Sequence, residues 1–155
     1  MSHETLFTLI NAFVLPFWLL LLIAPFSKPT RWLVHSGVVP LVLGLLYIVT
    51  LSLSMAGDMP EGASMQSLQG LQIAFSDPRA LLAGWMHYLV FDLFVGAWIV
   101  RDAKRQGMPH WAVVIPVILT FATGPFGLLL YVGLPAAWKL SLIHTLRFPP
   151  IETSL

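Results

Sequence analysis

Two ionisable side chains, His87 and Asp92, stand within one long apolar run of this 155-residue chain. An imidazole and a carboxyl in a dry setting can be tuned apart as acid and base, which suits proton transfer without a cofactor. Ionisable groups are expensive inside a bilayer, so those found there usually face protein or a cavity and often mark function. Five residues correspond to about 140° around an α-helix, so the two do not touch directly and a site using both sits in a corner between helices. Tyr88 and Asp92 have the favourable four-residue spacing. The competing reading is packing, with each group hydrogen-bonded across helices at about 1 kcal/mol apiece.

Other polar residues fall at similar depths. At about 1.5 Å per residue, Asp92 lies roughly 13 Å and His87 roughly 21 Å from Arg101. The same rise brings Asn11, Tyr47 and Thr123-Gly124 near the level of His87, and Thr120 near that of Asp92. These depths and spacings mark His87, Asp92, Asn11, Tyr47, Tyr88, Thr120, Gly124 and Pro125 as candidate site residues in a polar layer of the bundle. In Gly124-Pro125-Phe126-Gly127 the proline removes a backbone hydrogen bond and the glycines admit another backbone or a flat ligand, which suits a pocket and a packing kink equally.

No metal or cofactor is expected. Cysteine is absent, which excludes thiol nucleophiles, disulfides and cysteine-ligated metals. His35 and His110 fall near helix ends, where interfacial solvation is favoured over a shared metal. His3 and His144 carry no assignment. The six tryptophans lie largely toward helix ends, as an interfacial belt places them.

The elements that must hold these residues are membrane helices. Of the chain, 57% is hydrophobic and 10% charged, against about 25% charged in a soluble domain. A net charge of +1 gives no basic face for nucleic acid. Four segments approach the roughly 20 apolar residues a span needs: Thr5–Ala24, closed by Pro25; Val34–Met55; Asp77-Pro78 to Arg101, opened by an N-cap and a first-turn proline; and Pro109–Leu134. The expected fold is an all-α, four-helix transmembrane bundle over residues 1–146 with a flexible tail at 147–155. Met65, Leu68, Leu71 and Phe75 recur at helical spacing in the polar stretch between helices two and three, predicting a short interfacial helix there. The first span lacks a basic leader and a cleavage site and is expected to be retained.

Lys28 and Arg31 lie between helices one and two; Arg101, Lys104 and Arg105 lie between three and four. The positive-inside bias makes both turns cytoplasmic and places both termini and the 57–79 loop outside.

The run Gly84-Trp85-Met86-His87-Tyr88-Leu89-Val90-Phe91-Asp92-Leu93-Phe94-Val95-Gly96, then Asp102, Gly107-Met108-Pro109-His110 and Thr120-Phe121 to Gly124-Pro125-Phe126-Gly127-Leu128-Leu129-Leu130-Tyr131, resembles the abscisic-acid-deficient-four family of small membrane proteins. In plants that family is associated with making neoxanthin from violaxanthin. Plant members carry a chloroplast-targeting extension. This chain begins almost directly with its first span, as a bacterial member in the cytoplasmic membrane would, and the resemblance therefore implies a chemical class rather than a substrate. That class is rearrangement of an epoxidised carotenoid or similar isoprenoid: protonation opens the epoxide, and a base takes a proton from the polyene to leave an allene beside the new hydroxyl. The resemblance leaves open which of His87 and Asp92 is acid and which is base.

Two function classes follow. One is a membrane-embedded, cofactor-independent isomerase of a lipophilic small molecule, alone or as a subunit of a membrane enzyme. The other is a non-catalytic pigment- or lipid-binding partner of a carotenoid-modifying enzyme. A transporter is disfavoured, because the spans hold few polar groups and no inverted repeat.

Overall fold

Ser2 opens the first helix: its hydroxyl accepts from the Thr5 amide at 3.1 Å, and Glu4 complements the positive helix end. The computed structural model describes residues 2–57 and 59–134, which form helices and turns and, among themselves, no strand. Asp58, Trp138, Lys139, His144, Arg147, Pro149 and the expected 147–155 tail lie outside the described residues.

Helix α1 is His3–Ile23. A capped turn at Lys28–Thr30 and a π-helical turn at Arg31–His35 lead to Gly37, whose φ of +85° starts α2, Val38–Ala56. Helix α3, Leu68–Ala74, is capped by Ser67 and supplies the short helix expected between the second and third long ones, although Met65 precedes it. Helix α4, Pro78–Arg105, begins at the N-cap Asp77, which also holds Arg79 in an ion pair at 2.8 Å. Helices α5, Trp111–Thr123, and α6, Pro125–Leu134, complete the described chain.

Among the described residues three helical stretches are long and apolar enough to cross a membrane: α1, α2 with its preceding turns, and α4. Helix α4 is central and packs on α1, α2 and α5. Its Gly96 makes room for the buried Trp18 of α1, since a β-carbon there would stand 2.6 Å from the indole. Trp18 is therefore a core residue, correcting its placement in an interfacial belt; Trp32 and Trp111, exposed at 78% and 72%, suit that belt better. Large apolar residues such as Ile23, Leu53 and Leu129 cover the outside, a surface suited to lipid.

The fourth span expected over 109–134 is instead two short helices meeting at Gly124. There φ is +59° and ψ −100°, a backbone open essentially to glycine alone. The chain then turns back. A β-carbon on Gly127 would lie 2.2 Å from the Thr120 nitrogen and 2.4 Å from the Pro116 carbonyl oxygen, so α6 lies directly against α5. Seven residues past the turn, the Tyr131 hydroxyl donates to Asp102 Oδ2 at 2.6 Å, near the end of α4. Helices α5 and α6 thus form an antiparallel hairpin whose tip reaches the level of Asp92. A continuous fourth span would have carried Leu134 to the end opposite the basic turns; the hairpin returns it to the basic end.

Candidate functional site

Asp92 faces the interior from α4, 9% exposed, and its Oδ2 is buried with no hydrogen-bond partner among the described residues. A buried polar atom left unpaired is costly, so such an atom asks for an explanation. Its surroundings come from three helices. Gly124, at the hairpin tip, fits so closely that a β-carbon would stand 2.9 Å from Oδ1. Tyr88, one helical turn before Asp92, approaches the carboxylate and donates to the Phe121 carbonyl at 3.4 Å. The Phe121 ring packs 5.2 Å from that of Trp18, whose indole N–H is likewise buried and unpartnered. Trp18 rests on Gly96, four residues past Asp92 and so on the same face of α4.

His87 lies elsewhere. It is exposed on the side of α4 that meets α2, its ring 5.5 Å from Tyr47 and 4.6 Å from Phe91. These three, with Pro40, Leu41 and Gly44 of α2 among others, line an open groove of about 270 Å³. The 140° separation thus sends Asp92 toward α5 and His87 toward α2.

The remaining candidates divide as well. Asn11 accepts from the Trp85 indole at 3.2 Å, and Trp85 stacks on Tyr88 at 5.3 Å, which links Asn11 to the Asp92 side through two rings. Thr120 is fully buried, but its hydroxyl donates to the Pro116 carbonyl at 2.8 Å within its own helix. Pro125 is the first residue of α6 and fixes the helix start just past Gly124. The structure therefore brings Tyr88, Asp92 and Gly124 together, sets Pro125 beside them, and keeps Tyr47 with His87.

Sequence reasoning missed two features. Trp18 has the burial and the orphan donor of a site residue, and the only sequence signal was a tryptophan inside an apolar run. The Asp102–Tyr131 pair holds the hairpin down, with Gln106 donating to the same Asp102 oxygen at 2.6 Å. His35 and His110 act locally: His35 Nε2 lies 2.7 Å from the Pro25 carbonyl and His110 Nε2 2.9 Å from that of Leu22, where each ring N–H donates. Both satisfy carbonyls at or just beyond the end of α1, which lack helical partners. Among the described residues no three potential metal ligands converge.

Apolar helices of spanning length packed around a carboxyl group with one buried, unpartnered oxygen define a small α-helical membrane protein. The chain belongs to the ABA DEFICIENT 4-like family, whose model matches residues 5–131. It is similar to the protein ABA DEFICIENT 4, chloroplastic, of Arabidopsis thaliana, at 30% identity over 98 residues. That match covers 60% of this chain and 44% of the relative, so the chain spans less than half of the relative's length. No solved structure matches.

Proposed function

We propose that this protein rearranges an oxygenated carotenoid or related isoprenoid within the membrane, with Asp92 as the proton-transferring group. The observation that carries this is the unpartnered Asp92 Oδ2, buried beside the glycine tip of the hairpin. A protonated carboxyl donates from one oxygen and, once ionised, accepts at either. In the proposed step the Asp92 proton passes to the epoxide oxygen and a carbon–oxygen bond breaks, giving a hydroxyl and a cation delocalised along the polyene. The carboxylate then takes the proton from the neighbouring polyene carbon, leaving an allene. Atoms and charge balance, the carboxyl is restored, and the net change is an isomerisation.

Tyr88 is proposed to orient the carboxyl, and the close approach of Gly124 to Oδ1 to leave Oδ2 as the oxygen that meets the substrate. The groove of Tyr47, His87 and Phe91 opens on the α2 side of α4, away from Asp92, so His87 takes no part in the proposed step.

The separation of His87 from Asp92 also favours a second reading, in which the chain binds a pigment or lipid for a partner enzyme and moves no proton. Expression of the chain in cells that make epoxidised carotenoids, followed by pigment analysis, tests the choice. New isomer formed by the parent and lost in Asp92→Asn supports the enzyme; bound pigment without product, in both proteins, supports the partner.

A further inference from the structure

Five of the eight lysines and arginines in the sequence belong to the two basic turns, Lys28 and Arg31 in one and Arg101, Lys104 and Arg105 in the other. The fold brings these turns together. Arg101 Nη1 reaches His35 Nδ1 at 3.3 Å and the His35 carbonyl at 3.5 Å, and Lys104 Nζ sits 4.0 Å over the Phe26 ring. His35 is itself held by the Pro25 carbonyl and stacks on Phe26. Arg31, Arg101, Lys104 and Arg105, with Phe26 and His35, line an open, shallow cavity of about 470 Å³ with no acidic residue among the described residues of its lining. Asp102, adjacent to Arg101 in sequence, is engaged by Tyr131 and Gln106.

A positive-inside bias explains why cations lie at this end of the molecule. It does not explain why four of them line one cavity, with Arg101 positioned by a histidine whose tautomer is set. A carbonyl only accepts, so Nε2 carries the His35 proton and Nδ1 takes the Arg101 N–H. Arg101 is thereby oriented through Nη1, and a guanidinium suits the paired oxygens of a phosphate.

The geometry points to a binding site for the phosphate group of an anionic membrane phospholipid, formed by Arg31, Arg101, Lys104 and Arg105 at the basic end of the helices. The lipid source is favoured over a soluble phosphate by position. The cavity adjoins the exposed Trp32 and the ends of helices of spanning length, where a headgroup already lies. The site is independent of the reading given to Asp92.

The test uses the full chain purified in neutral detergent, with dioctanoyl phosphatidylglycerol, dioctanoyl phosphatidylcholine and inorganic pyrophosphate added separately. Native mass spectrometry counts bound molecules and a thermal melt reports stabilisation. Phosphatidylglycerol should bind and raise the melting temperature, and phosphatidylcholine should not. Lys28→Gln removes a charge outside the cavity and serves as the comparison for Arg101→Gln. Diffuse attraction predicts an equal loss in both, about fivefold per charge; the site predicts a distinctly larger loss for Arg101→Gln. Arg101→Lys keeps the charge but not the fork, and should also weaken binding several-fold. Lys104→Gln, at an exposed position, covers the case in which an Arg101 variant fails to fold. Equal losses in Lys28→Gln and both cavity variants would overturn the proposal. Pyrophosphate binding with no response to phosphatidylglycerol would overturn the lipid assignment. Neither result bears on pigment conversion, so the two readings fail separately.

Discussion

Gly124 presses its backbone against the Asp92 carboxylate so closely that any side chain at 124 would strike Oδ1. One residue is the tip of a helical hairpin and the other is the buried acid of the central helix. The hairpin therefore decides how much room stands beside the acid, and the two cannot be altered independently.

At Asp92 the enzymatic and packing roles part in one substitution. Asp92→Asn keeps the shape and most hydrogen-bonding capacity but exchanges no proton. It should fold like the parent, bind pigment, and lose at least about 100-fold in product formation, the low end for a general acid or base. Product analysis of the purified variant checks this, and full activity in a folded Asp92→Asn protein removes the residue from the chemistry.

Gly124→Ala should destabilise the protein by about 1–3 kcal/mol, because it meets both the carboxylate and a backbone conformation costly to any L-residue. The φ of +59° makes any substitution at 124 act on the fold as well as on the space beside the carboxylate. Thermal melts of Gly124→Ala and Gly133→Ala distinguish the cases. Gly133 has nothing within 4 Å of its would-be β-carbon and should tolerate the change.

Hydropathy located α1, α2 and α4 to within a few residues, since lipid rewards a run of apolar residues whatever their partners. The Asp77-Pro78 start was legible for the same local reason. The Gly124-Pro125 break was legible as a break but not as a reversal. Reversal depends on Gly127 meeting the Pro116 carbonyl and on Tyr131 reaching Asp102, pairings that no periodicity encodes. Angular spacing foretold that His87 and Asp92 do not touch. It could not say which neighbouring helix each would face.

The anchor of the hairpin should be measurable. Tyr131 is 1% exposed, and its hydroxyl donates a short bond to Asp102. Tyr131→Phe should cost about 1–3 kcal/mol, the range for removing one partner of a buried hydrogen bond. Chemical denaturation in detergent would show it. A variant as stable as the parent would mean the pair does not fasten α6.

Asp77 lies outside the long helices and supplies a pH dependence. The Arg79 side chain, and then the Arg79 backbone N–H, hold its carboxyl below the ordinary carboxylate range. A depressed folded value stabilises at pH above the unfolded value of about 3.9, and that stabilisation is lost as pH falls through the folded value. The protection of amides in the first turn of α4, measured relative to their intrinsic exchange rates, should therefore fall below about pH 4. Asp77→Asn keeps a cap but has no carboxyl to titrate, so its exchange there should lack this step.

The hairpin makes a prediction about sidedness that a continuous fourth span does not. Helix α5 has 13 residues, about 20 Å at 1.5 Å per residue, which falls short of a hydrocarbon core of about 30 Å. Its tip therefore ends beside Asp92, and α6 brings the chain back toward Asp102 and the basic turns. The positive-inside bias predicts that this end faces the cytoplasm. The chain has no cysteine, so single cysteines can be introduced at Glu61, Arg105 and Gly133 and probed with a membrane-impermeant maleimide. In intact cells Glu61→Cys should label, while Arg105→Cys and Gly133→Cys should label only after permeabilisation. If Gly133→Cys labels together with Glu61→Cys, the chain crosses once more and the reversal at Gly124 does not persist in the membrane. If Gly133→Cys and Arg105→Cys stay together but label from outside, the hairpin stands and the orientation is inverted.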